Sequence, residues 1–285
     1  MPLNLQTFKT RAITALFFVV IMLAGLLVNY YTFIALILII HIGCWVEYQK
    51  LVALIDNEYA HINQIHKVGV IVTGIGFVLW MLPDAVTLGN FHFHEMGWWI
   101  LIIGAMVLPV QEVLLSKKHN ANMLLYSFIG LVYISLSAGL LMHLYYIHAY
   151  LPLLIIACMW VNDTMAYLVG SFIGKTPFSS ISPKKTWEGT IGGILLCTVV
   201  VGFLATILFQ NQWLILSSQY HFYIIAFIAA ITGTAGDLLE SKIKRMANVK
   251  DSGSLMPGHG GFLDRFDSLL VAVPFVWLYI YFSIN

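Results

Sequence analysis

The sequence predicts an all-α polytopic membrane protein of about nine transmembrane helices, with its N-terminus cytoplasmic and its C-terminus on the opposite side. Three observations predict it: an apolar composition, apolar runs of membrane-spanning length, and basic residues that fall on one side of them. Of 285 residues, 60% are hydrophobic and only 9% charged, and the mean hydropathy is +0.88. In a soluble domain about a quarter of the residues are charged.

A helix crosses the hydrocarbon core with about 17 to 25 apolar residues. Nine such runs lie at 12–28, 30–46, 68–83, 97–115, 123–147, 151–173, 188–209, 221–239 and 266–284. The first follows Lys9 and Arg11, as the core of a signal peptide would. Its length and the lack of a small-x-small cleavage site predict a retained span instead.

The fourteen Lys and Arg residues test that count, because bases near helix ends stay cytoplasmic. Lys9 and Arg11 precede the first run, Lys50 and Lys67 separate the second from the third, and Lys117 and Lys118 follow the fourth. Lys175, Lys184 and Lys185 follow the sixth, and Lys242, Lys244, Arg245, Lys250 and Arg265 lie between the eighth and ninth. With an inside N-terminus all of them share one side, and adding or removing one span scatters them. The opposite connections carry only Asp84 and Glu95 as charges.

Other classes are excluded on composition. Cys44, Cys158 and Cys197 all fall inside predicted spans, which suits neither a disulfide framework nor a metal cluster. A formal net charge of +1 gives no basis for nucleic-acid binding. No internal repeat is visible, which weighs against inverted-repeat transporter folds. His92 and His94 of "HFH" read as ordinary residues of an external loop.

Polarity divides the chain in two. Residues 1–150 read as a transmembrane scaffold of five spans, and residues 151–285 as a catalytic region of four spans with two polar cytoplasmic connections. Three constellations lie in that second part. In "WVNDTMAYLVGSFIGKTPFSSISPKKTWEG", residues 160–189, Asn162 and Asp163 sit within a span. A carboxylate there costs about 2.5 to 3.5 kcal/mol on insertion scales, so it faces a cavity or a partner; a functional role is the expectation, with packing against another helix as the alternative. Lys175, Ser182, Lys184 and Lys185 follow, beside the interfacial Trp187, and taken alone they read as a positive-inside anchor.

In "GTAGDLLESKIKR", residues 233–245, Asp237, Glu240, Ser241 and Lys244 fall at i, i+3, i+4 and i+7 and so share one helix face. A carboxylate near the boundary, with a hydroxyl and bases further on, suits a metal and the phosphates it neutralises. A solvated helix end is also polar but does not require small residues before Asp237.

In "NVKDSGSLMPGHGGFLDRFDS", residues 248–268, glycines bring backbone N–H groups close to anionic oxygens. Gly260 and Gly261 follow His259, and Asp264 and Asp267 flank Arg265 at the start of the last run. Either acid alone is an ordinary helix N-cap; two of them suit a hard cation that prefers carboxylate, phosphate and water oxygens.

The run "SKIKRMANVKDSGSLMPGHGGFLDRFD", residues 241–267, resembles the signature of the phosphatidate cytidylyltransferases, the CDP-diacylglycerol synthases. Met256 stands where Leu, Ile or Phe is usual, an apolar exchange. "ND" through "SPKKTWEG" is similar to the family's upstream block, and over residues 1–150 the likeness is one of hydropathy only.

The resemblance implies condensation of phosphatidate with CTP to give CDP-diacylglycerol and pyrophosphate, with Mg2+ and room for a second cation. Asp237 and Asp264 are then the expected metal ligands. Lys244, Arg245, Lys250 and Arg265 neutralise the triphosphate, and Asp267 orients Arg265 or supports the metal. The substrate-contact set comprises Asn162, Asp163, Lys175, Ser182, Lys184, Lys185, Ser241, Asp251, His259, Gly260 and Gly261, with His259 serving either phosphate or the glycine turn. Phosphatidate keeps its acyl chains in the bilayer whereas CTP is cytoplasmic, so the expected site is at the inner face of the cell membrane. Partners are the two substrates, the bilayer and, as the one protein partner left open, a second copy of the chain. The competing readings are another CTP-dependent lipid enzyme, such as a polyprenol kinase or a cytidylyltransferase for a different lipid phosphate, and a cation or proton transporter. The transporter requires ionisable groups along the full membrane depth, and the odd-numbered spans have almost none.

Overall fold

The computed structural model describes residues 5–115, 121–209, 218–253 and 260–284. Helices occupy all nine predicted runs, and the only strands among the described residues form one small hairpin. Among the described residues, seven helices are long and apolar enough to cross a membrane: Tyr30–Ile55, Phe93–Gln111, Asn122–Ile147, Leu151–Ile173, Trp187–Phe209, Tyr220–Met246 and Leu263–Ile284. Two shorter apolar helices, Thr14–Leu27 and Gln64–Trp80, stand at the other two runs. The chain forms two compact units, one of residues 1–143 with 246–266 and one of residues 144–245 with 267–285. The segment 246–266, which the sequence reading kept with the catalytic region, therefore belongs with the amino-terminal helices.

The first unit holds α1 (Leu5–Leu27), α2 (Tyr30–Ile55), α3 (Asn57–Ala60), α4 (Gln64–Trp80), the hairpin β1 (Thr87–Leu88) and β2 (Phe91–His92), α5 (Phe93–Leu115), α6 (Ala121–Gly130) and a π-helical segment, Leu131–Leu136. It also takes in the start of α7 (Ser137–Ile147). α2 begins with a reciprocal cap in which Asn29 Oδ1 accepts from Thr32 N at 2.9 Å and Thr32 Oγ1 accepts from Asn29 N at 3.2 Å. Gly89, at φ +60°, makes the tight turn between β1 and β2 that a side chain would strain. The core centres on Trp45, fully buried, whose indole N–H lies 2.9 Å from Ser135 Oγ in the π-helical segment and 3.1 Å from His41 Nε2. Gly130 leaves the space that the Trp45 ring fills.

The second unit holds the rest of α7, then α8 (Leu151–Ile173), α9 (Trp187–Phe209), α10 (Tyr220–Met246) up to Arg245, and α11 (Leu263–Ile284) from Asp267. Small residues let α8 and α9 approach closely, as in membrane helix pairs generally. A Cβ on Gly189 would lie 2.9 Å from the Gly170 Cα, and one on Gly193 would lie 2.7 Å from the Ala166 Cβ. α10 has 27 residues, about 40 Å of helix at 1.5 Å per residue, against a hydrocarbon core of about 30 Å. Its last turns, from Asp237 to Arg245, carry all of its Asp, Glu, Lys and Arg residues, and the Asn248 that follows at φ +56° adopts the left-handed conformation common after a helix end.

Candidate active site

Within the second unit, α10 and α11 bring three carboxylates together. Asp237, Glu240 and Asp267 each offer an oxygen within 4.8 Å of the others. Asp237 and Glu240 are one turn apart on α10, and Asp267 enters from α11 because Gly236 lets the helices touch. A Cβ on Gly236 would stand 2.5 Å from the Asp267 carbonyl oxygen. The glycines before Asp237 therefore make room for the second acidic helix.

Glu240 and Asp267 are buried and Asp237 is half-buried. Two negative charges 4.8 Å apart repel by about 3–4 kcal/mol at an effective dielectric of about 20. Lys185 is ion-paired with Asp237, and Lys244 with Glu240 one turn along α10. The donor set is all carboxylate oxygen, the ligand type that suits a hard cation such as Mg2+.

Lys185 reaches Asp237 from a folded connection between α8 and α9. Pro177 and Thr186 pair as antiparallel neighbours, Phe178 N donates to the Lys185 carbonyl at 2.8 Å, and Trp187 N donates to the Thr176 carbonyl at 3.0 Å. The Phe178 and Trp187 rings pack 4.5 Å apart. Glu188 ties the other side, accepting from Thr176 Oγ1 at 2.8 Å and from the Lys175 and Thr176 amides at 3.2 Å. Thr186 Oγ1 caps α9 by accepting from Gly189 N at 3.1 Å. Lys184 and Lys175 are exposed, and Ser182 is half-buried with its carbonyl accepting from Lys185 N at 3.1 Å. Asn162 is buried and donates to Thr234 Oγ1 at 3.2 Å, a helix-to-helix bond between α8 and α10, whereas Asp163 is exposed.

The glycine-rich segment belongs to the first unit and is organised by two carboxylates. Asp264 Oδ2 accepts from Ser252 N at 2.9 Å and Gly261 N at 2.8 Å, and lies 2.9 Å from Ser252 Oγ, which accepts from Asp264 N at 3.2 Å. Gly260 needs to be glycine twice over: its φ is +84°, and a Cβ would stand 2.6 Å from Asp264 Oδ2. The second carboxylate is Glu47 of α2, which accepts from Phe262 N at 2.9 Å, Leu263 N at 2.8 Å and Ser252 Oγ at 2.7 Å. Lys250, Asp251 and Arg265 of the first unit are exposed; in the second unit Arg245 is exposed and Ser241 half-buried. His259 lies outside the described residues.

The expected metal pair, Asp237 and Asp264, is thus divided between the two units. Asp237 stands with Glu240 and Asp267, and one Asp264 oxygen is engaged in shaping its own loop. Glu240 appeared in the sequence on the face of Asp237, but only the geometry adds it to the acidic set. Glu47 was missed altogether because the second apolar run was ended at residue 46. The signal was present in "CWVEYQKLVALI", where apolar periodicity continues past the glutamate to Ile55.

Comparison with known proteins bears on the whole chain. A phosphatidate cytidylyltransferase of Staphylococcus aureus is 31% identical over 288 residues, covering 93% of this chain and 96% of that protein. One of Haemophilus influenzae is 35% identical over 198 residues, covering 67% and 68%. Phosphatidate cytidylyltransferase 4, chloroplastic, of Arabidopsis thaliana is 47% identical over 124 residues, which is 44% of this chain and 30% of that relative. The chain thus spans less than a third of the plant protein and nearly all of the staphylococcal one. The sequence profile of the cytidylyltransferase family matches residues 9–283, from the first helix to the end of the last, and this chain belongs to that family.

Proposed function

We propose that this chain is a phosphatidate cytidylyltransferase. It joins CTP and phosphatidate: an oxygen of the lipid phosphate attacks the α-phosphorus of CTP, the bond to the β-phosphate oxygen breaks, and CDP-diacylglycerol and pyrophosphate result. The observation that carries the reading is the meeting of Asp237, Glu240 and Asp267 beside Lys185 and Lys244, in a chain whose relatives bear that enzyme name.

The attacking lipid phosphate is already anionic near neutral pH, so the protein has little proton transfer to perform. Its task is positioning and charge neutralisation. Asp237, Glu240 and Asp267 are the residues that would hold Mg2+, with a second cation accommodated nearby. A divalent ion held there would supply positive charge to neutralise phosphate. Lys185 and Lys244 lie against the same carboxylates, placed to exchange those contacts for phosphate oxygens. Lys184, Arg245, Lys250 and Arg265 contribute positive charge for the triphosphate and the departing pyrophosphate, and Asp264 keeps the glycine turn closed.

The site is proposed to face the cytoplasm from the inner leaflet of the cell membrane, with nine spans and the N-terminus inside. The one-sided distribution of all fourteen basic residues supports that orientation. A homodimer is the proposed assembly, checked by mass measurement in nanodiscs.

Purified protein supplied with phosphatidate, CTP and Mg2+ tests the activity. Label on the α-phosphate of CTP is expected in the lipid and label on the γ-phosphate in pyrophosphate. Transfer of the γ-label to lipid indicates a kinase and overturns the reading, as does cation flux in proteoliposomes without CTP turnover.

A further inference from the structure

We propose that Glu47, in the amino-terminal half of the chain, is a positioning residue for cytidylyl transfer. It holds the start of α11 and the Ser252 segment in the arrangement the reaction needs. The inference rests on the function proposed above.

Glu47 is 5% exposed in the middle of α2, flanked by the buried Trp45, Tyr48 and Leu51. A carboxylate in such a place is costly unless every oxygen is matched. Here Oε1 takes the Phe262 amide, and Oε2 takes the Leu263 amide and the Ser252 hydroxyl. Those amides stand at the very start of α11, where a helix has donors without internal partners and where its dipole favours a negative charge. The residue before Leu263 is Phe262, whose side chain cannot accept a hydrogen bond. A carboxylate 215 residues away in sequence accepts from the Phe262 amide, and the Ser252 hydroxyl oxygen accepts from Asp264 N at 3.2 Å in the same turn.

The surrounding residues fit that role. Gly43, one turn before Glu47 on α2, leaves the space that the Phe262 ring occupies, and a Cβ there would lie 2.5 Å from the ring's Cγ. α2 thus receives the ring of Phe262 at Gly43 and its amide at Glu47, two positions on one helix face. Gly253 and Gly261 lie against the Glu47 carboxylate so closely that a Cβ on either would overlap its oxygens. The Ser252 hydroxyl stands between Glu47 and Asp264, 2.7 Å from one and 2.9 Å from the other, coupling both acids to one segment. Gly253, Gly260 and Gly261 therefore make room for protein carboxylates.

The consequence runs along α11. Arg265 is two residues beyond Leu263, and Asp267 is one turn beyond it on the same helix. A slip at the helix start re-aims both side chains, and a misplacement of about 1 Å in a reacting array can cost about 100-fold in rate.

The test compares wild type with Glu47→Gln and Ser252→Ala in nanodiscs, normalised to folded protein. Glu47→Gln keeps the shape but turns one acceptor oxygen into a donor facing N–H groups. The expected result is a fall in kcat of about 10- to 100-fold with KM for CTP changed by less than about threefold, together with faster amide hydrogen exchange confined to residues 260–266. Ser252→Ala is expected to lower kcat less, and the double variant to fall short of the product of the two single effects. Wild-type kcat per folded molecule in Glu47→Gln overturns the proposal, because a purely structural role lowers only the folded yield. If Glu47→Gln does not fold, Ser252→Ala decides: unchanged kcat and unchanged exchange at 260–266 overturn it. Absence of CDP-diacylglycerol with wild type overturns the function reading instead, and the exchange comparison still reports whether Glu47 holds the segment.

Discussion

Lys185, in the connection that leads into α9, is ion-paired with Asp237 near the end of α10. The pair joins two stretches that lie 52 residues apart in the sequence and that both carried unexplained polarity. Each side chain is slightly more than a quarter exposed, so the pair is accessible to an incoming phosphate.

Replacing Lys185 tests whether that ammonium serves the reaction. A hydrogen bond to a charged group contributes about 1.5–3 kcal/mol, so Lys185→Ala is expected to lower kcat/KM for CTP by about 10- to 100-fold. Melting in detergent should change little, since partly exposed pairs contribute little to stability. Steady-state kinetics over a CTP series, beside a thermal scan, checks both halves.

The acidic set predicts a dependence on a divalent ion. Asp237→Asn and Asp267→Asn are expected to abolish CDP-diacylglycerol formation while leaving folded, membrane-inserted protein. Chelation should stop the wild type and Mg2+ should restore it. Saturation at about 100 times the Kd should add about 2.7 kcal/mol to wild-type stability, an increment the two variants should lack. Thermal scans with and without Mg2+ measure it independently of turnover.

Glu240 predicts a stability effect of a different kind. It is fully buried and paired with Lys244, itself only 13% exposed in its side chain. Removing one partner of a buried pair costs up to about 3–5 kcal/mol, an upper bound here because Asp267 still faces Lys244. Glu240→Gln should therefore lower the melting temperature clearly, and Glu240→Gln with Lys244→Met should recover part of the loss. A double-mutant cycle on melting midpoints is the measurement.

Gly236→Ala tests the helix crossing. The new methyl meets a backbone carbonyl, which cannot rotate away, 2.5 Å from its ideal position. Overpacking of this kind costs about 1–3 kcal/mol, and here it also displaces Asp267 from Asp237. Activity per folded molecule should fall together with stability, whereas Gly192→Ala, which meets the Val169 side chain in the α8–α9 contact, should affect stability more than activity.

Much of the fold was legible because membrane spanning is a local requirement. Each apolar run had to be a helix, since hydrocarbon offers no partner for backbone N–H and C=O groups, and helices occupy each of the nine predicted runs. The acidic set was half legible. Asp237 and Glu240 share a face through helix periodicity alone, whereas the choice between Asp264 and Asp267 as their partner depends on how α11 is rotated, which i and i+3 spacing does not reveal. Glu47 was hidden for a related reason: a single acid at the edge of an apolar run looks like the end of a span until its partners come into view.

By itself the sequence determined the helical class, the location of the helices and the concentration of charge in two connections, because each follows from local composition and periodicity. Only the tertiary structure decided that Asp267 joins Asp237 and Glu240, that Lys185 reaches them, and that Gly253, Gly260 and Gly261 close around Glu47 and Asp264. Those choices depend on the rotation and approach of helices distant in sequence. They are set by steric fit at Gly236 and Gly43 and by the need of buried carboxylates for donors, neither of which is written in any one segment.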